Sequence, residues 1–85
     1  MATDYALRER VQRLLAEGQL PRAEPPRGWV ARGTGQPCGV CGQEIDPTEY
    51  EVELEFTAEV TGSVLTYIFH GPCHTLWDTE RLQSM

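Results

Sequence analysis

Lysine is absent from this chain, cysteine occurs three times, histidine occurs twice, and the residues that build apolar cores are few. Leucine, isoleucine, valine and phenylalanine together make up 18 of the 85 residues, which is little for a small domain that must hold itself together. No apolar run approaches the length of a membrane span, and the polar first residues do not resemble a signal peptide. We therefore predict one small domain that needs an additional constraint, such as a bound metal, and no association with a membrane.

The charges are divided unevenly along the chain. Residues 1–37 hold six arginines and four acidic residues, whereas residues 38–85 hold nine acidic residues and one arginine. The formal net charge is −6, and an acidic surface repels the phosphates of nucleic acids. The chain also has no phosphate-binding loop and no evident nucleophile–base pair, so we predict that it is not an enzyme and has no catalytic residues.

The three cysteines and one histidine form two pairs with the same internal spacing. Two residues separate Cys38 from Cys41, two separate His70 from Cys73, and 28 lie between the pairs. Three thiolates and one imidazole form the closed tetrahedral shell of a structural zinc site, because zinc accepts sulfur and nitrogen ligands without a directional preference. We therefore predict one structural Zn²⁺ bound by Cys38, Cys41, His70 and Cys73. Thiolate ligation favours a reducing compartment, so we expect a cytoplasmic protein.

The neighbouring residues support this site. Gly42 permits a tight turn after the second cysteine, since a left-handed backbone has no steric cost in glycine. Pro72 favours a helix that begins just after His70, which would place Cys73 in the first turn, where the helix dipole favours a thiolate. Zinc binding in such modules contributes roughly 10–16 kcal/mol, more than the net stability of a typical domain. Chelation is therefore expected to unfold residues 37–82.

Other interpretations of the cysteines fit less well. A disulfide framework usually has an even number of cysteines. A thioredoxin-like redox pair would open a helix, whereas residues 42–47 have the composition of a loop. Zinc deaminases also carry a Pro-Cys-x-x-Cys element, but their His-x-Glu element precedes it, and no histidine precedes Cys38.

Residues 1–18 predict an amphipathic helix that ends at Gly18, with Leu20 packing back on the last turn. Its apolar stripe could dock on the zinc domain, pair with itself or a partner helix in an oligomer, or remain a free arm. Residues 19–36 form a connector rich in proline and glycine. Its apolar Trp29-Val30 step predicts an extra edge strand, with a ligand-stacking role for Trp29 as the alternative. The apolar stripe comprises Leu7, Val11, Leu14 and Leu15.

Residues 37–85 predict the zinc-binding domain, and a β-hairpin lies between its two ligand pairs. Apolar and acidic residues alternate from Tyr50 to Phe56, which predicts a strand with glutamates 51, 53 and 55 on the solvent face. These glutamates form either a solvating face or an acidic patch for a basic partner. Gly62 lies in the predicted turn. Residues 64–69 are apolar on both sides, so we expect this strand to be covered on both faces, with the N-terminal helix as a candidate cover.

The last predicted helix spans about residues 72–82. Cys73, Leu76 and Trp77 share one face, and we expect Trp77 to fill the core beside the metal. His74 lies about 100° from Cys73 around the helix. We expect a surface histidine there, and replacement of His70 as the ligand is the alternative.

A turn with two cysteines, a hairpin and a helix with the last cysteine describe an α+β treble-clef zinc finger, here with an additional N-terminal helix. The pattern Cys38-x₂-Cys41-x₂₈-His70-x₂-Cys73, followed by a tryptophan four positions later, resembles the zinc finger of poly(ADP-ribose) polymerases over residues 38–77. It is more loosely similar to the first site of a LIM domain, whose loop is usually shorter. The resemblance implies the fold and the four zinc ligands. Polymerase-type fingers recognise DNA breaks, but this hairpin carries glutamates and no lysine.

The sequence thus predicts a small structural-zinc protein that acts as a protein-interaction or regulatory adaptor. Its partner would be a protein, or a second copy bound through the N-terminal helix. One alternative is a nucleic-acid-binding accessory protein that uses the N-terminal arginines, although the net charge disfavours nucleic acid. Another is a metal-dependent enzyme or redox sensor. The N-terminal arginines are Arg8, Arg10, Arg13, Arg22, Arg27 and Arg32.

Overall fold

The structure, a computed structural model, describes residues 4–58 and 61–83, without the side chain of Asp4. In these residues the chain forms two helices and a three-stranded antiparallel sheet, which confirms the predicted α+β class. The start of the predicted first helix, part of the hairpin turn and the end of the predicted zinc domain lie outside the described residues. The elements are α1 (Asp4–Ala16), β1 (Arg27–Arg32), β2 (Tyr50–Thr57), β3 (Val64–His70) and α2 (Gly71–Gln83).

The end of α1 is a C-cap that depends on Gly18. This residue has a left-handed φ of 76°, and its N–H donates to the carbonyl of Leu15 at 3.2 Å. The N–H of Gln19 donates to the carbonyl of Leu14 at 2.9 Å, which completes a Schellman motif. The chain therefore reverses directly after the helix, and Leu20 is buried in the core, as its spacing from the helix predicts.

Helix α1 packs against α2, not against the sheet. Val11 and Leu15 are buried in the same cluster as Trp77 of α2. At the edge of this contact, Gln12 donates from Nε2 to Oε1 of Glu80 at 2.8 Å. The apolar stripe of α1 is thus docked on its own chain, and the predicted placement of this helix over the second face of β3 is wrong.

Strand β1 lies at one edge of the sheet, in the order β1-β2-β3. The predicted extra edge strand at Trp29 and Val30 is therefore confirmed. The prediction that β3 is covered on both faces is wrong, because Val64 is 59% and Leu65 46% exposed. Only Phe69, near the end of this strand, is fully buried, since α2 covers the sheet there and the hairpin tip extends beyond the core.

The glutamates of β2 do not form a continuous solvent-facing row. Glu51 is 1% exposed, and its Oε1 accepts hydrogen bonds from the backbone N–H and the hydroxyl of Thr34, at 3.0 and 3.1 Å. The predicted solvent exposure is therefore wrong for Glu51. The loop that covers Glu51 passes so close to the backbone of Asp46 that a Cβ on Gly33 would lie 2.1 Å from the carbonyl oxygen of Asp46.

The core is centred on Trp77, which is fully buried as the sequence predicts. Its ring centroid lies 5.6 Å from that of Phe69. Its indole N–H donates to the carbonyl of Pro21 at 2.9 Å, so the connector is fastened to α2. This packing fixes the start of α2 relative to the end of β3, where the candidate ligands lie.

Candidate metal centre

Three parts of the fold bring the predicted ligands together. Cys38 and Cys41 lie in the turn before β2, His70 is the last residue of β3, and Cys73 is in the first turn of α2. One ligand atom from each residue lies within 4.8 Å of all the others. The structure therefore gathers all four residues that the spacing singled out.

The donor set and its geometry fit one metal ion. Zn–S bonds of about 2.3 Å in a tetrahedron place the sulfurs about 3.8 Å apart, so the observed group needs only a small inward movement of its side chains. None of the three cysteines forms a disulfide, and Cys38 and Cys73 are buried whereas Cys41 and His70 are partly exposed. The group is positioned to bind one ion at the boundary between core and solvent.

The turn that carries the first two cysteines is held by its own backbone. The N–H of Cys38 donates to the carbonyl of Gln43 at 2.8 Å, and the N–H of Gly42 donates to the carbonyl of Cys38 at 2.9 Å. Gly42 has a φ of 78°, the left-handed conformation that its position predicts. The N–H of Gly39 donates to the carbonyl of Ile68 at 2.8 Å, which ties this turn to β3.

Backbone amides point at one of the sulfurs. The N–H groups of Val40 and His70 both donate to Sγ of Cys38 at 3.4 Å. Together with a hydrogen bond from the thiol of Cys73, which is the largest cause, they lower the pKa of Cys38 to about 4. These contacts favour the thiolate form of Cys38.

The pKa values of the other two cysteines are raised. The hydrogen bond that Cys73 donates to Cys38, together with burial, raises the pKa of Cys73. Burial also raises the pKa of Cys41. The expected preference for a thiolate at the start of α2 is therefore outweighed by the neighbouring charge of Cys38. Among themselves the three sulfurs hold one thiolate and two thiols, and a bound cation would have to displace both remaining protons.

The imidazole of His70 is oriented from both sides. Its Nδ1 lies 3.3 Å from Sγ of Cys41 and 4.0 Å from Sγ of Cys73, so Nδ1 is the atom that faces the sulfurs. Its Nε2 lies 3.5 Å from Oε1 of Glu49. A carboxylate on the far nitrogen of a ligating histidine fixes the tautomer and the ring orientation.

Sequence reasoning missed Glu49. No spacing rule connects it to the cysteine–histidine pairs, and it belongs to an acidic segment in which every glutamate looks alike. The only signal is the strand register, because Glu51 pairs with His70 and Glu49 lies just before that position. His74 is not in the group; its ring centroid lies 5.7 Å from that of Trp77 and it is partly exposed.

Comparisons of the chain with protein-family models, curated proteins and solved structures find no match. The resemblance to the polymerase-type finger therefore rests on the ligand spacing and a few apolar positions such as Trp77. Across residues 4–58 and 61–83, no helix is long and apolar enough to cross a membrane.

Proposed function

We propose that the protein is a structural-zinc module of the treble-clef type that serves as a protein-interaction adaptor. The observation that carries this proposal is the closed set of four ligand atoms within 4.8 Å of one another. A turn with two cysteines, a hairpin that ends in the histidine and a helix whose first turn carries the third cysteine support the treble-clef assignment. With four protein ligands, zinc keeps no open position for water or substrate, which supports a structural role.

A metal ion at this site would crosslink three parts of the fold. Cys38 and Cys41 are on the turn, His70 ends the sheet and Cys73 begins α2, so one ion joins three parts of a chain that has few apolar residues. Metal binding then contributes directly to the free energy of folding. A rigid, inert support of this kind suits a protein whose activity is to present a surface.

The surface that supports an adaptor role is the sheet face that contains Trp29. Trp29, Glu53 and Ile68 occupy neighbouring positions on the three strands, and the indole N–H of Trp29 donates to Glu53 at 2.5 Å. Trp29 is 42% exposed, and Glu55 lies two positions further along β2 on the same side. An exposed aromatic ring beside carboxylates, on a chain of net charge −6, favours a partner that presents arginine or lysine side chains.

The contacts of the arginines count against the nucleic-acid alternative. Arg8 pairs with the buried Glu80 at 3.4 Å, and Arg10 donates to the carbonyl of Val40. Arg27 lies opposite Glu55 in the sheet register, and the guanidinium of Arg32 lies 5.0 Å from the ring centroid of Tyr50. The guanidinium groups of Arg8, Arg10 and Arg32 therefore have partners within the protein.

The experiment that tests the adaptor role is a titration with two probes, an arginine- and lysine-rich peptide and a DNA duplex. We expect the peptide to bind, to weaken as salt rises, and to be lost with Glu53→Gln combined with Glu55→Gln. Glu24→Gln combined with Glu44→Gln is the matched control, because it removes two carboxylates outside this face. Failure to bind the peptide would contradict the proposal. Steeply salt-dependent DNA binding that disappears with Arg8→Gln and Arg13→Gln would establish the alternative.

A further inference from the structure

The outer edge of β1 is not paired with another strand of the described chain. The alternation of hydrogen bonds along β1 shows which of its backbone N–H and C=O groups lie on this edge. The N–H of Gly33 donates to the carbonyl of Glu49, in the register that pairs β1 with β2. Alternate residues of an antiparallel strand bond to the same neighbour, so Trp29 and Ala31 also pair inward. Gly28, Val30 and Arg32 consequently direct their backbone N–H and C=O groups away from the sheet, and no strand of the described chain pairs with them.

The opposite edge of the sheet is covered in part, at Ile68 and His70. The N–H of Gly39 donates to the carbonyl of Ile68 on the outer side of β3. β1 has no such cover among the described residues, and its apolar side chains are exposed, Trp29 by 42% and Val30 by 65%. An exposed edge strand with apolar side chains is a template for pairing with another strand.

We propose that this edge pairs with β1 of a second copy of the chain, antiparallel and with Val30 on the two-fold axis, so that the two sheets become one. The residues of β1 are self-complementary in this register. Val30 meets Val30 of the second copy, Trp29 meets the small Ala31, and Arg32 meets Gly28. A large side chain therefore faces a small one at each pair away from the axis, as in well-packed surfaces.

The same register also keeps the charges of the two edges apart. Arg27 lies opposite Gly33 of the second copy, and no arginine faces another arginine. The backbone of Arg27 bonds inward to β2, whereas that of Arg32 is directed outward. Residues of these two kinds cannot lie opposite each other in an antiparallel pair, so Arg27 does not face Arg32 of the second copy. The inference does not depend on the metal or on the adaptor role. It also replaces the predicted association through α1, because the apolar stripe of that helix is already docked on α2.

The edge is short, so the association is weak. Strand β1 has six residues, whereas each partner in a standard interface contributes about 20–30 residues and about 800 Å². A dissociation constant on the order of 1–100 µM is expected for contacts of this class. Each copy carries a net charge of −6, so dimerisation should strengthen as salt screens the repulsion. Binding of a basic partner responds to salt in the opposite direction.

The experiment is sedimentation equilibrium of the full chain across that concentration range, with variants at Val30. We expect wild type to reach twice the mass of one chain, and Val30→Lys to remain monomeric because two ammonium groups would meet at the axis. Mixing Val30→Lys with Val30→Glu should restore the dimer as a mixed pair. Val64→Lys, at an exposed apolar position on β3, is the matched control and should dimerise like wild type. Circular dichroism and metal content should be equal in all variants.

Three results would overturn the proposal. The first is a wild-type chain that stays monomeric up to the highest concentration. The second is a Val30→Lys dimer as stable as wild type, which would place the contact elsewhere. The third is a monomeric mixture of the lysine and glutamate variants, which would mean that the two side chains do not face each other. Val30→Pro gives an independent check, because it removes an outward N–H and leaves the bonds from β1 to β2 intact, so it should also be monomeric.

Discussion

Removal of the Glu49 carboxylate should weaken metal binding although Glu49 is not a ligand. Its Oε1 lies 3.5 Å from Nε2 of His70, and its side chain is 48% exposed. Loss of such a partner lowers metal affinity by about 10–100-fold. Solvent exposure places Glu49 at the lower end, so Glu49→Ala should raise the zinc dissociation constant about tenfold, or about 1.4 kcal/mol.

The assay is zinc competition against a chromophoric chelator, with two further variants. Oε1 of Glu49 also accepts the N–H of Asp46 at 3.0 Å, so Glu49→Ala loosens the local turn as well. Glu49→Gln keeps an acceptor oxygen and should lose less affinity. Glu44→Gln removes an equal charge from the neighbourhood without contact to His70 and should bind zinc as wild type does. Equal losses in Glu44→Gln and Glu49→Ala would refute a role for the direct contact and leave only a general charge effect.

Three further predictions concern the core, the thiols and the helix contact. Trp77→Phe removes the hydrogen bond to Pro21 and should cost about 1–2 kcal/mol in urea unfolding followed by circular dichroism, whereas Trp77→Ala should cost about 3–5 kcal/mol because it also leaves a cavity. A Trp77→Phe variant as stable as wild type would contradict the role given to this hydrogen bond. At about pH 7, calorimetry in buffers of different ionisation enthalpy should count about three protons released per zinc bound, because the metal-free chain is expected to unfold and its thiols then have their ordinary pKa of about 8.5. A count of about two would mean that the metal-free chain keeps its fold, with Cys38 already a thiolate. Glu80→Met should unfold at the same urea concentration as wild type or a higher one, because it replaces a buried carboxylate by apolar volume. Glu80→Ala leaves a cavity and should lose about 2 kcal/mol of stability. A large loss in both variants would mean that the ion pair between Arg8 and Glu80 stabilises the fold.

The pH dependence of metal binding follows from the same thiols. The contacts of the folded chain lower the pKa of Cys38 to about 4, but the chain is expected to unfold without metal, and Cys38 then competes for protons like the other two thiols. The pKa values of Cys41 and Cys73 are raised, so both are protonated at neutral pH and compete with the cation. Zinc affinity should therefore rise with pH through neutrality, with up to three protons released per zinc bound. A flat profile from about pH 7 to 9 would contradict this assignment.

The candidate site was predictable because its signal is local. Two-residue gaps within Cys38–Cys41 and His70–Cys73 are a property of the sequence, and Pro72 marks the helix that presents the last ligand. Gly18 likewise predicts the helix end from its own conformational freedom. In each case the residue that carries the information is adjacent to the structure that it determines.

The features that were missed depend on contacts between distant segments. Glu51 reads as a solvent-facing strand residue, and only the loop at Thr34 makes it a buried hydrogen-bond acceptor. Glu80 is 2% exposed because α1 folds over it, which no periodicity in α2 indicates. The apolar residues of β3 suggested coverage on both faces, but α2 is too far from the hairpin tip to cover Leu65. Tertiary packing decided each of these positions.

The central claim is that one zinc ion joins the turn, the sheet and α2 through three sulfurs and one nitrogen. X-ray absorption at the zinc edge, with metal analysis of the purified chain, tests it directly. The account predicts one zinc per chain, three sulfur neighbours at about 2.3 Å and one nitrogen at about 2.0–2.1 Å, with loss of the folded circular dichroism signal when a chelator removes the metal. A chain that keeps its fold without zinc, or a zinc shell that contains oxygen in place of a cysteine sulfur, would contradict it.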